Sequence, residues 1–466
     1  LKSLPQPHRW NEWLAAEAPI AAQYRESPKA LFAAPFGEVT SDNPAPVTRG
    51  MVAVVLDGNG RLRDFTAIPY NNAEDIPNPV SAETVFRAAG LDASAFQETT
   101  PSIVPRVPAE QLRAWKGAHP LLPNTELTLE VGSWKGRVTS VRVLAPWVKL
   151  PADTGSQPNL FGDAFLYGLF ILLLFALLLA RRNWRLERSD RKGALRIAAT
   201  YFLINGIAWI GRVHAVAESG LLVILFQQIG QLLLGAALLW VLYVALEPDL
   251  RARWPHSIVT WNRLLAGRWK DAQVAAHILV GAAVGVLFWV GAELTEYWFG
   301  PHDLSSEAGL NLTLGTRHWV AVHANTLGTL PIVGFAIFIL VFAIRLLVKR
   351  NLLAAILAAA VGVFFNFDGD PSRLDHWQLQ VPVFFAMFAV LIFVLLRLGL
   401  VAFFAAIFFL NSGGQIIVGA DWTTWYAPYG LATLALLLGI ALFAFWRSLG
   451  SRELLGLNAA EPAPVR

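Results

Sequence analysis

The sequence predicts a membrane protein in which a small α+β extracytoplasmic domain is followed by an all-α polytopic bundle of about nine transmembrane helices. Hydrophobic residues make up 55% of the chain and charged residues only 15%, a balance typical of membrane proteins. Several apolar stretches reach the roughly 20 residues that a helix needs to cross a bilayer. After residue 160 the connecting loops alternate between basic and acidic, and Lys/Arg-rich loops stay on the cytoplasmic side.

Residues 1–150 have the patterns of one soluble domain, which a linker at 151–159 joins to the membrane region. Asp57-Gly58-Asn59-Gly60, between two β-like runs, is a strong hairpin signal. Ser81 has the chemistry of a helix N-cap. The predicted elements are helices at His8–Tyr24 and Ser81–Ala89, and hairpins of Met51–Leu56 with Arg61–Ile68 and Glu126–Val131 with Arg137–Val143.

Residues 160–450 contain the predicted helical bundle, and 451–466 a cytoplasmic tail. Nine spans keep every basic loop on one side, although the seventh and eighth are either a tight hairpin or one kinked helix. The predicted spans lie near 161–180, 195–214, 220–246, 274–297, 319–347, 351–367, 379–396, 398–418 and 425–447.

The basic loop Arg181–Arg196 orients the chain with its N-terminal domain outside the cytoplasm and its C-terminus inside. The chain begins at Leu1 without a signal sequence in front of the extracytoplasmic domain. We therefore expect a processed signal peptide or a transmembrane helix upstream.

The predicted cytoplasmic segment 254–270 combines tryptophans and basic residues at roughly helical spacing. This pattern predicts an interfacial amphipathic helix in the headgroup layer, where basic residues meet anionic lipid. It either anchors the loop or docks a cytoplasmic domain. The residues concerned are Trp254, Trp261, Arg263, Arg268 and Trp269.

Several polar residues gather toward the predicted outer side of the bundle, and polar groups within a membrane are functional candidates. They predict a pocket for an ion, a proton or a small ligand; the alternative is that they are span-end residues reaching into headgroups and water. His318 and His323 are five apart, unlike the i, i+4 pair of a helical metal site. The candidates are Glu293, Glu296, His318, His323, Arg212 and His214.

No catalytic residue, metal site or cofactor is predicted. The chain has no cysteine, which excludes disulfides and thiolate chemistry, and it lacks HExxH, a Glu-Glu pair and a glycine-rich phosphate loop. Its net charge of +4 belongs to the cytoplasmic loops, so no nucleic-acid partner is predicted. Lipid bilayer is the predicted partner, and enzymatic activity is left open.

Several stretches resemble the extracytoplasmic and multispan membrane region of serine/threonine protein kinases of the acidobacterial type. They are Tyr24–Pro28, Gly50–Phe65, Ala89–Asp92 with Phe96, Ala114–Gly117, Trp134–Arg137, Ala180–Leu195, Ala245–Pro248, Arg253–Arg268, Arg397–Leu400, Asp421–Tyr426 and Phe445–Gly450. The kinase domain itself is absent from these 466 residues, so no kinase activity transfers to any residue here.

The resemblance implies a non-catalytic sensor and anchor region in the bacterial cytoplasmic (inner) membrane, with a kinase domain upstream on the same polypeptide and an unknown extracytoplasmic ligand. Two alternatives stay open. One is a transporter- or channel-like protein that uses the outer polar residues, although no inverted repeat is visible. The other is an accessory subunit of a larger membrane complex.

Overall fold

The computed structural model describes residues 21–33, 37–40, 43–72, 74, 80–122, 125–146, 148, 160–299, 307–366, 377–417 and 421–450. The chain divides into two compact units, Leu1–Gln157 with His214–Gln227 and Pro158–Val213 with Gln228–Arg466. The predicted linker 151–159 and tail 451–466 lie outside the described residues.

The first unit contains an antiparallel sheet of seven described strands in the order β1-β2-β3-β7-β6-β5-β4. Both predicted hairpins are confirmed, as β2–β3 and β6–β7. The strands are β1 Ala21–Glu26, β2 Val52–Asp57, β3 Leu62–Ala67, β4 Phe96–Thr99, β5 Gln111–Ala118, β6 Glu126–Trp134 and β7 Arg137–Leu144.

The turn between β2 and β3 is closed by the side chain of Asp57. Its carboxylate accepts hydrogen bonds from the backbone N–H of Asn59 at 2.9 Å and of Arg61 at 3.0 Å. The guanidinium groups of Arg61 and Arg63 also contact it, at 2.8 and 2.9 Å. Burial alone would raise the pKa of Asp57, but these hydrogen bonds and charges outweigh it and lower the pKa.

One helix, α1 (Ala82–Ala88), packs on one face of the sheet, and it confirms the predicted helix at Ser81–Ala89. The Ser81 hydroxyl caps it by accepting from the backbone N–H of Thr84 at 3.4 Å. Phe86 then packs edge-on against Phe96 and Trp115, with ring centroids 5.3 and 5.5 Å away. These aromatic contacts form the centre of the first unit's core.

The predicted helix at His8–Tyr24 is wrong over its last four residues. Ala21–Tyr24 belong to β1, which pairs with β2 so that Tyr24 lies opposite Val54. The unpaired edge of β2 offers this segment a full row of backbone hydrogen bonds, and that pairing outweighs its local helical pattern. The remaining residues of this prediction, 8–20, lie outside the described part of the chain.

The rest of the described chain is helical. Its helices are α2 Leu160–Arg185, α3 Arg191–Arg212, α4 Gly220–Arg253, α5 His256–Leu265, α6 Ala272–Phe299, α7 Glu307–Leu312, α8 Thr316–Val348, α9 Asn351–Asn366, α10 Trp377–Arg397, α11 Leu400–Gly413 and α12 Ala427–Ser448.

Seven of these helices are long and apolar enough to cross a membrane, namely α2, α3, α4, α6, α8, α10 and α12. The small N-terminal sheet domain and the mostly helical part after it are thus confirmed, and the seven apolar helices are consistent with a membrane protein. The helices α9 and α11 are apolar but shorter. At 1.5 Å per residue they extend only about 21–24 Å, less than the roughly 30 Å of a hydrocarbon core. Nine spans therefore stay a prediction.

Helices α6 and α11 approach each other closely at two glycines of α6. Gly281 and Gly285 form a GxxxG pair, and a Cβ atom at either position would overlap a backbone carbonyl of α11, that of Ala402 or Ala406. Small residues at this spacing let two helix backbones touch, which is a main source of packing in membranes.

Pro248 lies inside α4 and has no N–H to donate to the carbonyl of Val244 one turn earlier. The buried side chain of Asn183 fills this role. Its amide nitrogen lies 3.3 Å from the Val244 oxygen and 2.8 Å from the Ala245 oxygen. Because lipid offers no hydrogen bonds, this contact satisfies the backbone and joins the end of α2 to α4.

We expect Gly285→Val to separate α6 from α11, because its side chain would collide with the Ala406 carbonyl of α11. Overpacking of this kind costs about 1–3 kcal/mol or more. The loss of stability should appear as a lower unfolding temperature of the chain in detergent, followed by tryptophan fluorescence.

Gly291→Val is the matched control, since Gly291 lies on the same helix and a Cβ atom there would meet no atom of the described structure within 4 Å. Both variants make the same change in intrinsic helix propensity. Equal unfolding temperatures for the two would contradict the close contact.

Candidate functional site

The face of the sheet opposite α1 carries a pocket of about 250 Å³. Asp64 and Thr66 of β3 lie directly across from Arg142 and Ser140 of β7. Residues alternate between faces along a strand, so these four side chains share one face while Phe65, between two of them, points into the core. The floor of the pocket is therefore formed by polar side chains of two paired strands.

One wall of the pocket is the segment 101–107, which Glu130 holds against the sheet. The Glu130 carboxylate is buried and accepts hydrogen bonds from the backbone N–H and the hydroxyl of Ser102, both at 2.7 Å, and from the N–H of Ile103 at 3.3 Å. The exposed side chain of Arg106 follows on this segment and lines the pocket.

The charges in the pocket do not balance. Asp64 accepts a hydrogen bond from the Nε of Arg142 at 3.2 Å, and Arg106 adds a second positive charge nearby. Burial raises the pKa of Asp64, and the hydrogen bonds and the two arginines oppose it only in part. Three guanidinium groups line the pocket, those of Arg106, Arg113 and Arg142, against the carboxylates of Asp64 and Glu130. Arg113 is paired with Glu98, and the wall segment occupies the oxygens of Glu130, so Arg106 and Arg142 supply the donors for a small anion.

In the second unit, His323 of α8 lies in a buried polar cluster with Thr433 of α12 and Ser412 of α11. The Thr433 hydroxyl donates to the Tyr429 carbonyl at 3.0 Å, so its oxygen accepts from the Trp319 Nε1 at 2.9 Å and the His323 Nε2 at 3.2 Å. These roles assign the proton to Nε2 of the imidazole.

Ser412 completes the cluster, because its hydroxyl lies 3.4 Å from the Nδ1 of His323 and donates to it. A neutral imidazole then uses both nitrogens: Nε2 as donor and Nδ1 as acceptor. No lone pair remains for a metal ion in this arrangement. The geometry of His323 favours helix packing over the predicted role in ion binding.

The other predicted outer residues have different partners. Arg212 donates to the side-chain oxygen of Asn325 at 3.4 Å, and Asn325 lies two residues from His323, on another side of α8. Glu293 is exposed and accepts from the Trp289 Nε1 at 3.2 Å.

The remaining three candidates are His318, His214 and Glu296. His318 is half-buried, whereas His214 is exposed and belongs to the first unit, where its backbone N–H donates to the Gly37 carbonyl at 2.7 Å. The side chain of Glu296 lies outside the described residues. Within the described residues, no group of three His, Cys, Asp or Glu side chains is placed to hold a metal.

The predicted interfacial helix needs correction. The helix α5 covers only His256–Leu265, and its apolar side packs on the bundle rather than on lipid. Trp254 and Trp261 are both buried, and the Trp261 ring meets Phe404 of α11 edge-on at 5.4 Å. An amphipathic pattern predicts that the apolar face of a helix is buried, and in α5 this face is buried against neighbouring helices.

The other residues of that segment remain at the surface. Trp269 is 51% exposed and stacks on Phe443 with ring centroids 5.7 Å apart. Arg263 donates to both carboxylate oxygens of Asp271, at 3.0 and 3.1 Å. Burial would raise the pKa of Asp271, but Arg263 and two backbone N–H groups lower it overall. Arg268 is exposed. These residues still fit a lipid-facing or docking surface.

Sequence reasoning missed the sheet-face pocket and the hydroxyl partners of His323. Asp64 and Arg142 are 78 residues apart and meet only through the pairing of β3 with β7. The one signal available in the sequence was the alternation of side chains between the two faces of a strand, which places Asp64 on the face opposite to that of the apolar Phe65. Thr433 and Ser412 belong to no motif and become visible only when the helices are packed.

Comparison with protein-family models, with curated proteins and with solved structures finds no match to this chain. The resemblance to the membrane regions of serine/threonine kinases therefore stays a prediction that rests on the residues quoted for it.

We expect Thr433→Val to weaken the packing of α8 against α12, because it leaves the N–H groups of Trp319 and His323 without their acceptor. Hydrogen bonds between membrane helices contribute about 1 kcal/mol each. The unfolding temperature in detergent should fall accordingly.

Thr326→Val is the matched control. Thr326 is also buried, but its hydroxyl donates to the Val322 carbonyl of its own helix. An equal fall in both variants would show that Thr433 does not link the helices.

Proposed function

We propose that this chain is the non-catalytic sensor and membrane-anchor region of a receptor-like serine/threonine protein kinase, located in a bacterial cytoplasmic membrane. The observation that supports sensing is the polar pocket on the sheet of the first unit, in a chain whose described part contains seven helices suited to a membrane. The kinase part of the proposal rests on the resemblance alone, and kinase motifs in the coding sequence upstream of Leu1 would be its direct test.

The proposed stimulus is a small molecule with an anionic group. Arg106 and Arg142 offer guanidinium groups, and Thr66 and Ser140 line the same pocket with hydroxyls that can orient a bound oxyanion. Because both ring nitrogens of His323 are already hydrogen-bonded, the transporter alternative receives less support from the outer polar residues than sensing receives from this pocket.

We expect the purified 466-residue chain to bind sulfate or succinate, measured by isothermal titration calorimetry in detergent. Arg106→Gln should weaken binding by up to about fivefold, because an exposed guanidinium contributes at most about 1 kcal/mol to an ion pair. Asp64→Asn should tighten it, since it removes the carboxylate that faces the anion.

Arg87→Gln is the matched control, because Arg87 is an exposed arginine on α1, on the opposite face of the sheet. It should bind either probe like the unmodified chain. Absence of binding, or equal loss in Arg87→Gln and Arg106→Gln, would refute the pocket as an anion site.

The proposal includes nine spans with the first unit outside the cytoplasm. It is supported by the basic residues at Lys349, Arg350 and Arg397, which share one side only if α9 and α10 both cross. If α10 crossed and α9 did not, Lys349 and Arg397 would lie on opposite sides.

The absence of cysteine from the chain allows a direct test with single-cysteine variants. We expect Lys349→Cys and Arg397→Cys, both exposed positions, to react with an impermeant maleimide in inverted vesicles and not in right-side-out vesicles. Arg268→Cys is the reference for the cytoplasmic side. Labelling of Lys349→Cys and Arg397→Cys from opposite sides would rule out nine spans.

A further inference from the structure

The second unit contains an apolar cavity of about 680 Å³, within the size range of small-molecule sites. Its walls come from six helices: α3, α5, α6, α8, α11 and α12. Leucine, isoleucine, phenylalanine and alanine dominate the lining, with Leu203, Leu264, Leu330, Phe404, Phe408 and Ile440 as representatives. Such a surface has no hydrogen bond to offer a polar ligand over most of its area.

The lining nevertheless includes an arginine, Arg196, in the second turn of α3. Its side chain is exposed, and its Nη1 donates to the Leu265 carbonyl at the end of α5, at 3.3 Å. A guanidinium has five N–H donors in a planar fork. In the described part of the chain this is the one hydrogen bond of the Arg196 side chain, so its other N–H donors can bind an oxyanion.

A second polar group of the lining lacks a partner. Trp261 of α5 is only 6% exposed, and its indole Nε1–H has no acceptor among the described residues. A buried donor without an acceptor costs free energy unless a ligand or water satisfies it. This donor and Arg196 border the same apolar cavity.

We propose that this cavity binds an anionic phospholipid, with an acyl chain against the apolar lining and the phosphate on Arg196. The walls match a hydrocarbon chain, and the bilayer around these helices is a continuous source of such chains. The positive charge at the cavity matches a phosphate, for which arginine supplies two parallel N–H bonds.

The test uses the full chain in nanodiscs of phosphatidylcholine that contain a rising fraction of phosphatidylglycerol with brominated acyl chains, which quench nearby tryptophan. We expect saturable quenching at a low fraction of phosphatidylglycerol. The Trp261→Phe variant should lose this saturable component and retain the linear quenching of its exposed tryptophans.

The variants test charge and space separately. Arg196→Gln should raise the half-saturating fraction about fivefold, the effect of one basic residue at an anionic lipid surface, while Arg196→Lys should stay closer to the unmodified chain. Ala199→Phe, which fills the cavity from an exposed position without altering charge, should abolish the saturable component. Arg350→Gln, at an exposed arginine between α8 and α9 and outside the cavity lining, should leave it unchanged.

Two results would overturn the proposal. One is equal quenching by brominated phosphatidylcholine and phosphatidylglycerol, which would mean that any lipid occupies the cavity. The other is a half-saturating fraction in Arg196→Gln that equals that of Arg350→Gln, which would remove Arg196 from the site. Neither result bears on the anion pocket of the first unit.

Discussion

The close contact between α6 and α11 determines how the helical unit packs. Because Gly281 and Gly285 have no side chains, the backbone of the short helix α11 lies directly against α6. Helix α11 can then present its phenylalanines to other neighbours: Phe404 meets Trp261 of α5, and Phe408 lies near His323 of α8. The apolar cavity lies beside these same two phenylalanines, so it depends on the position that the glycines give to α11.

The polar residues of the bundle follow from a second constraint, that buried backbone and side-chain groups need partners where water is absent. Asn183 satisfies the carbonyl that Pro248 leaves free. Arg317 donates to the Gly211 and Val213 carbonyls at the end of α3, at 2.9 and 2.6 Å. The Thr433 hydroxyl oxygen likewise accepts hydrogen bonds from two N–H groups, those of Trp319 and His323. Polarity inside a membrane segment thus marks helix contacts here at least as often as ligand sites.

The sequence predicted elements that depend on contacts between neighbouring residues better than those that depend on contacts between distant segments. The β2–β3 turn and α1 were predicted because Asp57 and Ser81 act on residues within four positions of themselves. Strand β1 and the Asp64–Arg142 pair were missed because they depend on segments far along the chain. The amphipathic pattern at 254–270 predicted a covered face but could not specify that Phe404 rather than lipid covers Trp261. The GxxxG pair at Gly281 was visible in the sequence and could have predicted the α6 contact.

The two proposed sites would select their ligands by different physics. On the sheet, Arg106 is exposed to water and salt, where a single charge contributes little, so anion binding needs Arg142 and the neighbouring hydroxyls together. In the bundle, the cavity walls cannot distinguish one lipid from another, because hydrocarbon chains are equally stable in the surrounding bilayer. Selectivity there must come from the headgroup. The apolar lining therefore allows a lipid acyl chain to enter the cavity, and Arg196 determines which lipid headgroup is bound most tightly.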